Sequence, residues 1–337
     1  MKQAAVILLS GLLGLGLSVY LVLNAGLAEI MALLAVAGWS LLWLLPFHLL
    51  PVALDTLSWK WLLRGEARAR FGFLLWVALL RESVNGLLPV ARVGGELLGI
   101  RLLAQYGLSP YVAGASIMVE LTLTLLSQAL FTLLGIVVLM FAVSNHILVL
   151  EVLGMLFLSL PVLSIFYWLQ KHKGLFCLLQ EISKKILGGY DLLGSIADPA
   201  LLDAEIRTLY GRGWSLLVAN FWQLAGFFAG TVEVCLTFWL LHHPIPFWSA
   251  LLLESLGQAL RSAAFLVPGG IGIQEGGIML LGSLMGIGPD LALAYALARR
   301  LRELFLGIPV LLSWSISEGH YMRRRWLRIP SSEEGVS

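Results

Sequence analysis

Two stretches of this 337-residue chain decide how it folds: Leu87-Leu88-Pro89-Val90-Ala91-Arg92-Val93-Gly94-Gly95-Glu96 and Leu266-Val267-Pro268-Gly269-Gly270-Ile271-Gly272-Ile273-Gln274-Glu275. A shift of 179 residues brings one onto the other. Leu87 meets Leu266, Pro89 meets Pro268 and Glu96 meets Glu275. Without a gap, Leu102 then meets Leu281, Gly107 meets Gly286, Pro110 meets Pro289, and Ala113 and Ala115 meet Ala292 and Ala294. Hydrophobic bias alone rarely aligns prolines, glycines and a carboxylate, so the chain reads as an internal duplication.

The surroundings of these stretches are apolar. Hydrophobic residues make up 59% of the chain, Asp, Glu, Lys and Arg only 12%, and mean hydropathy is +0.90. A soluble domain carries about 25% charged residues. Half that cannot cover a globular surface, so the chain is an integral membrane protein. Its apolar runs are long and continuous rather than alternating, which excludes a β-barrel and predicts an all-α polytopic fold. Spans are expected near 4–23, 30–54, 71–90, 93–108, 111–143, 147–169, 213–241, 247–267, 270–288 and 290–316. The whole chain is one membrane domain, with repeat 1 at about 71–143 and repeat 2 at about 247–316. The first span exceeds a signal peptide's h-region of about 7–15 residues and reads as an uncleaved anchor.

Charge placement sets orientation. Basic clusters fall at Lys60–Arg70, at Lys171–Lys185 and at Arg323–Arg328, whereas the short loops at 24–29, 144–146 and 242–246 carry no Lys or Arg. By the positive-inside rule the clusters are cytoplasmic, as are both termini. Counting crossings then gives the two copies opposite orientation, the inverted repeat common in secondary transporters. Pairs 71–90 with 93–108 and 247–267 with 270–288 are broken by Pro89, Gly94 and Gly95 and by Pro268, Gly269 and Gly270. They are expected to be re-entrant helical hairpins, because freed backbone must be buried or line a wet cavity. Residues 170–212 read as an amphipathic cytoplasmic connector on the inner leaflet.

Ionisable residues inside such segments normally face the bundle interior. Arg92 and Glu96 are four apart and are expected to pair, with Arg101 just over a turn further on. Glu120 opens a stripe through Thr124, Ser127 and Gln128. Glu254, Gln258 and Arg261 form a similar stripe, and Glu275 follows the second break. Arg299, Arg302 and Glu303 share a face of the last helix, with Arg300 about 100° away. Together they predict a polar chamber whose arginines hold an anionic headgroup through bidentate contacts. The competing expectation is that these are buried ion pairs that only fix helix packing.

Other signals point nowhere else. Gly269–Gly272 lacks the Lys-Ser/Thr and the βαβ context of a nucleotide loop. His242-His243 has no acidic or cysteine neighbour, so no metal is expected, and Cys177 and Cys235 form neither a CxxC nor a disulfide framework. Tryptophans such as Trp39, Trp59, Trp214 and Trp248 read as an interfacial belt. No catalytic motif is visible, which argues against an enzyme, and nothing suggests a cofactor or nucleic acid.

The two quoted stretches resemble the paired signatures of the lysylphosphatidylglycerol synthase transmembrane-region, or flippase-like, family over roughly residues 5–320. Within it, Leu87–Glu96 and the Gly-Ile-Gln-Glu-Gly-Gly run at 272–277 are most similar to hopanoid-biosynthesis-associated proteins of the Gram-negative inner membrane. The resemblance implies a lipid-translocating module without its soluble synthase domain. Its partners would be membrane lipids (an anionic phospholipid or a hopanoid) and lipid-biosynthesis enzymes. A non-transporting scaffold in a lipid-synthesis complex is the alternative. Inversion has a direct check: single cysteines replacing Tyr106 and Met285, in a chain without Cys177 and Cys235, should react with an impermeant maleimide from opposite faces. Labelling from one face overturns it.

Overall fold

The computed structural model describes residues 27–88, 94–142, 168, 199–263 and 272–326. The anchor at 4–23, Trp168 apart the span at 147–169, the connector to 198, and Pro89, Arg92, Pro268, Gly269 and Gly270 lie outside them. All regular structure among the described residues is helical: α1 (Leu27–Ala37), a 3₁₀ segment (Gly38–Trp43), α2 (Leu44–Leu62), α3 (Phe71–Leu87), α4 (Gly94–Gln105), α5 (Pro110–Ala142), α6 (Pro199–Gly211), α7 (Gly213–Leu240), α8 (Phe247–Ala263), α9 (Ile273–Leu284) and α10 (Pro289–Trp326). Leu34–Leu62, Pro110–Met140 and Gly213–Leu240 are long and apolar enough to cross a membrane. The chain is a multi-pass membrane protein.

The two copies are built alike. The 179-residue shift carries α4 onto α9 end to end and the start of α5 onto the start of α10. α3 and α8 both have 17 residues, and α4 and α9 both have 12. α4 and α9 also stop in the same way. Gly107 and Gly286 adopt left-handed φ of 96° and 73°. The following amides, of Leu108 and Ile287, donate back to the carbonyls of Leu103 and Gly282 at 3.1 and 2.9 Å. That is the glycine-terminated Schellman closure. Pro110 and Pro289 then open the long helices at the first position, where a missing N–H is harmless.

Packing between copies is reciprocal. α10 lies along α3, and α5 lies along α8, while α2 pairs with α7 and α9 closes onto α10. The bundle is inside-out relative to a soluble protein. Leu312 and Ile316 of α10 are 59% and 62% exposed, while Glu254 and Arg302 are 4% and 5% exposed. Such an exterior is stable only against lipid tails.

Two boundary expectations change. The second span does not stop at 54 before Asp55; helix continues to Leu62, because His48 and Asp55 line an interior cavity rather than facing lipid. The last part of the supposed connector, α6, is not merely a surface helix. Leu202, Ile206, Leu209 and Tyr210 are buried in one cluster with Ala115, Val119 and Ala219.

Helix α4 crosses α3 so closely that only glycine fits at Gly95. A Cβ there would sit 2.6 Å from the Arg81 carbonyl oxygen and 2.8 Å from the Asn85 side chain. Gly95→Ala should therefore destabilise the fold by about 1–3 kcal/mol, read as a lowered melting temperature in detergent. Gly257→Ala, with open space around it, should be neutral or stabilising by up to about 1 kcal/mol.

Candidate functional site

The last two turns of α3 place Arg81, Glu82 and Asn85 at the cavity walls. Arg81 is the first hub. Its Nε donates to Glu96 Oε2 at 2.7 Å and its Nη1 to Glu120 Oε2 at 2.6 Å, and Nη2 also reaches Glu96. Its guanidinium lies 4.9 Å from the ring centre of Trp59, whose indole N–H donates to Ser116 Oγ at 3.1 Å. Trp59 is fully buried, so it is part of this hub and not of an interfacial belt; Trp39, Trp214 and Trp248 are exposed. Asn85 donates to Glu96 Oε1 at 3.2 Å and accepts from the Gly95 amide at 2.9 Å. The break before α4 is thus stitched to the charge centre. Among the described residues Glu96 pairs with Arg81; the expected pair with Arg92 falls outside them.

The second copy distributes its charges differently. Arg299 donates to Glu254 Oε2 at 3.2 Å, and Gln258 donates to Glu254 Oε1 at 2.7 Å. Arg300 donates to Glu275 Oε1 at 3.1 Å and to Glu303 Oε2 at 2.8 Å. Glu275 Oε2 accepts the amide of Gly272 at 2.6 Å, capping the first turn of α9, where the helix dipole favours a carboxylate. Glu275 is therefore structural as well as a member of the charged set.

Between the copies, α2 inserts His48. Its two ring nitrogens lie 2.9 Å from Glu233 Oε2 and 3.0 Å from Glu82 Oε1. Which ring nitrogen donates in these two contacts follows the tautomer of His48. Glu233 also accepts from Arg302. Glu82 is the most open of these carboxylates, with 44% of its side chain accessible.

These groups enclose two adjoining cavities of about 300 and 400 Å³, which share His48, Glu82, Asn85, Glu96, Arg261 and Arg302 in their walls. Seven carboxylates (Asp55, Glu82, Glu96, Glu120, Glu233, Glu254 and Glu303) and five arginines (Arg81, Arg261, Arg299, Arg300 and Arg302) line them. The chamber holds more acid than base. Arg81, Arg299, Arg300 and Arg302 already bind glutamates, so among the described residues lining these cavities the expected row of free arginines for an anion is reduced to Arg261. Gln128 and Ser262 bond to each other across α5 and α8, at 2.9 and 3.0 Å. Ser127 instead turns to Asn220.

Arg101 does not join this set. Its side chain is 56% exposed and pairs with Glu318. Gly94 and Gly95 begin α4 as the break requires. Sequence reasoning missed His48, Asp55, Arg81, Glu82 and Glu233. Each was legible as a titratable residue interrupting an apolar span, and His48 and Asp55 are seven apart, on one helical face. Among the described residues no cluster of three metal-ligating side chains forms.

Removing the Arg81 hub should leave two buried carboxylates unpaired. Arg81→Gln is expected to destabilise by about 3–5 kcal/mol, and adding Glu120→Gln should recover part of the loss. Thermal unfolding of the single and double variants in detergent checks both.

Comparison with known proteins agrees with this architecture. The family model for the lysylphosphatidylglycerol synthase TM region matches residues 7–310, and the chain belongs to that family. No curated protein and no solved structure matches it.

Proposed function

We propose that this member of the family moves polar-headed lipids between the leaflets of a bacterial inner membrane, through the paired cavities, with both termini cytoplasmic. The observation that carries the reading is the dense ring of charge around two adjoining cavities in a bundle with an apolar exterior. A headgroup crossing hydrocarbon loses its water, and fixed polar partners must replace it. The reading needs no catalytic group, cofactor or metal. Hopanoids with polar headgroups are included among the cargo classes, on resemblance.

We further read the two halves as an inverted repeat with re-entrant hairpins. Matching helix lengths, shared glycine terminators and reciprocal packing of each long helix on the other copy support the duplication. Length supports re-entry: at 1.5 Å per residue, the 12-residue α4 and α9 reach about 18 Å, well short of a hydrocarbon core of about 30 Å.

One observation favours the alternative scaffold role in a lipid-synthesis complex: four of the five chamber arginines are already bound to glutamates. Translocation of acyl-labelled lipid in proteoliposomes, read by dithionite quenching, separates the two. Wild type should accelerate exchange, and Glu96→Gln/Glu275→Gln should slow it by about tenfold or more, an effect of about 1.4 kcal/mol on the barrier. Wild-type exchange equal to that of empty vesicles overturns the reading in favour of the scaffold.

A further inference from the structure

Two ionisable side chains in the chamber have no hydrogen-bond or ion-pair partner among the described residues. Arg261, in the last turn of α8, lines both cavities. It makes no hydrogen bond or ion pair with any described residue, and its Nε is buried without an acceptor. Asp55, on α2, lines the first cavity and likewise makes no hydrogen bond or ion pair among the described residues. The backbone of α7 presses on it: a Cβ at Gly226 would stand 2.4 Å from Asp55 Oδ1. The carboxyl group therefore lies close against the α7 backbone, where only glycine leaves it room. Every other arginine in these walls donates to at least one glutamate, although the Nε atoms of Arg299 and Arg302 are also buried without an acceptor. Arg261 and Asp55 line one cavity and do not pair with each other.

An unpaired cation away from water is costly, and a buried acid resists ionising until a cation joins it. A ligand that carries both charges satisfies both groups together, giving Arg261 an anion and Asp55 a cation. We propose that the chamber binds a zwitterionic aminophospholipid headgroup, its phosphate on Arg261 and its primary ammonium on Asp55. The chemistry of each end fits. A guanidinium fork with no other acceptor matches phosphate oxygens bidentately. A carboxylate with no donor takes the N–H groups of an ammonium. A purely anionic headgroup would satisfy Arg261 and leave Asp55 in a chamber already rich in acid. The inference rests on the lipid-moving reading for the choice of a lipid over a soluble zwitterion.

Native mass spectrometry of detergent-solubilised protein tests it, because binding is read without transport. The probes are equimolar phosphatidylethanolamine, phosphatidylglycerol and diacylglycerol with matched acyl chains. Wild type should retain phosphatidylethanolamine over phosphatidylglycerol by about tenfold, the scale of one charge-assisted hydrogen bond. Asp55→Asn should bring that ratio to about 1, and Arg261→Gln should reduce both phospholipids to the level of diacylglycerol. N-acetylated phosphatidylethanolamine gives a check that leaves the protein unaltered: losing its ammonium should bring it down to phosphatidylglycerol. The proposal is overturned if phosphatidylglycerol binds as well as phosphatidylethanolamine, or if the preference survives either Asp55→Asn or acetylation. Preference retained without translocation would overturn the transport reading alone. Translocation without preference would overturn this assignment alone.

Discussion

Hydrocarbon cannot solvate charge, and this structure is organised around that constraint. Arg81 meets it by binding Glu96 and Glu120 at once and by lying against the Trp59 ring. One side chain on α3 thereby joins α4 and α5, and its stacking brings in α2. None of the three charges could stay in the membrane alone, since an unpaired ion there costs several kcal/mol. The same rule holds at Arg299 with Glu254 and at Arg300 with Glu275 and Glu303.

How these pairs come to lie side by side follows from the exchange of long helices between the copies. α5 lies along α8, and α10 lies along α3. The charges of each long helix nevertheless pair within its own copy, Glu120 of α5 with Arg81 of α3 and Arg299 and Arg300 of α10 with Glu254 and Glu275. Contact between the copies is made by uncharged polar groups, such as Gln128 of α5 with Ser262 of α8. The duplicated positions repeat their chemistry only in part. Glu96 and Glu275 correspond and are both carboxylates, whereas Glu120 corresponds to Arg299 and Glu82 to Arg261, so some paired sites carry opposite charge.

The interior is not neutral, since seven carboxylates line the cavities against five arginines. Under the proposed lipid-moving role, the groups that bind nothing are those left to meet a polar guest. Glutamates occupy four of the chamber arginines, which makes them wall rather than grip. The unpaired groups, Arg261 and Asp55, stand where a guest would meet them.

Much of this was legible in the linear chain. Low charge and long apolar runs dictate a helical membrane protein. The 179-residue repeat fixes the bounds of α4 and α9 and the start of α10, because proline and glycine act locally through φ and missing N–H groups. Glu96, Glu120, Glu254, Glu275, Arg299, Arg300, Arg302 and Glu303 stand out for the same local reason: each is a charge in an apolar segment. Partner choice was not legible. Glu96 binds Arg81, fifteen residues away, because Gly95 lets α4 approach α3 within contact of its backbone. Arg101 has the same residue type and a neighbouring position, yet it faces outward to Glu318. Sequence determined which residues must escape the lipid. Only the tertiary structure decided which neighbour neutralises each, since that depends on interhelical distances of a few ångströms that no spacing along one helix encodes.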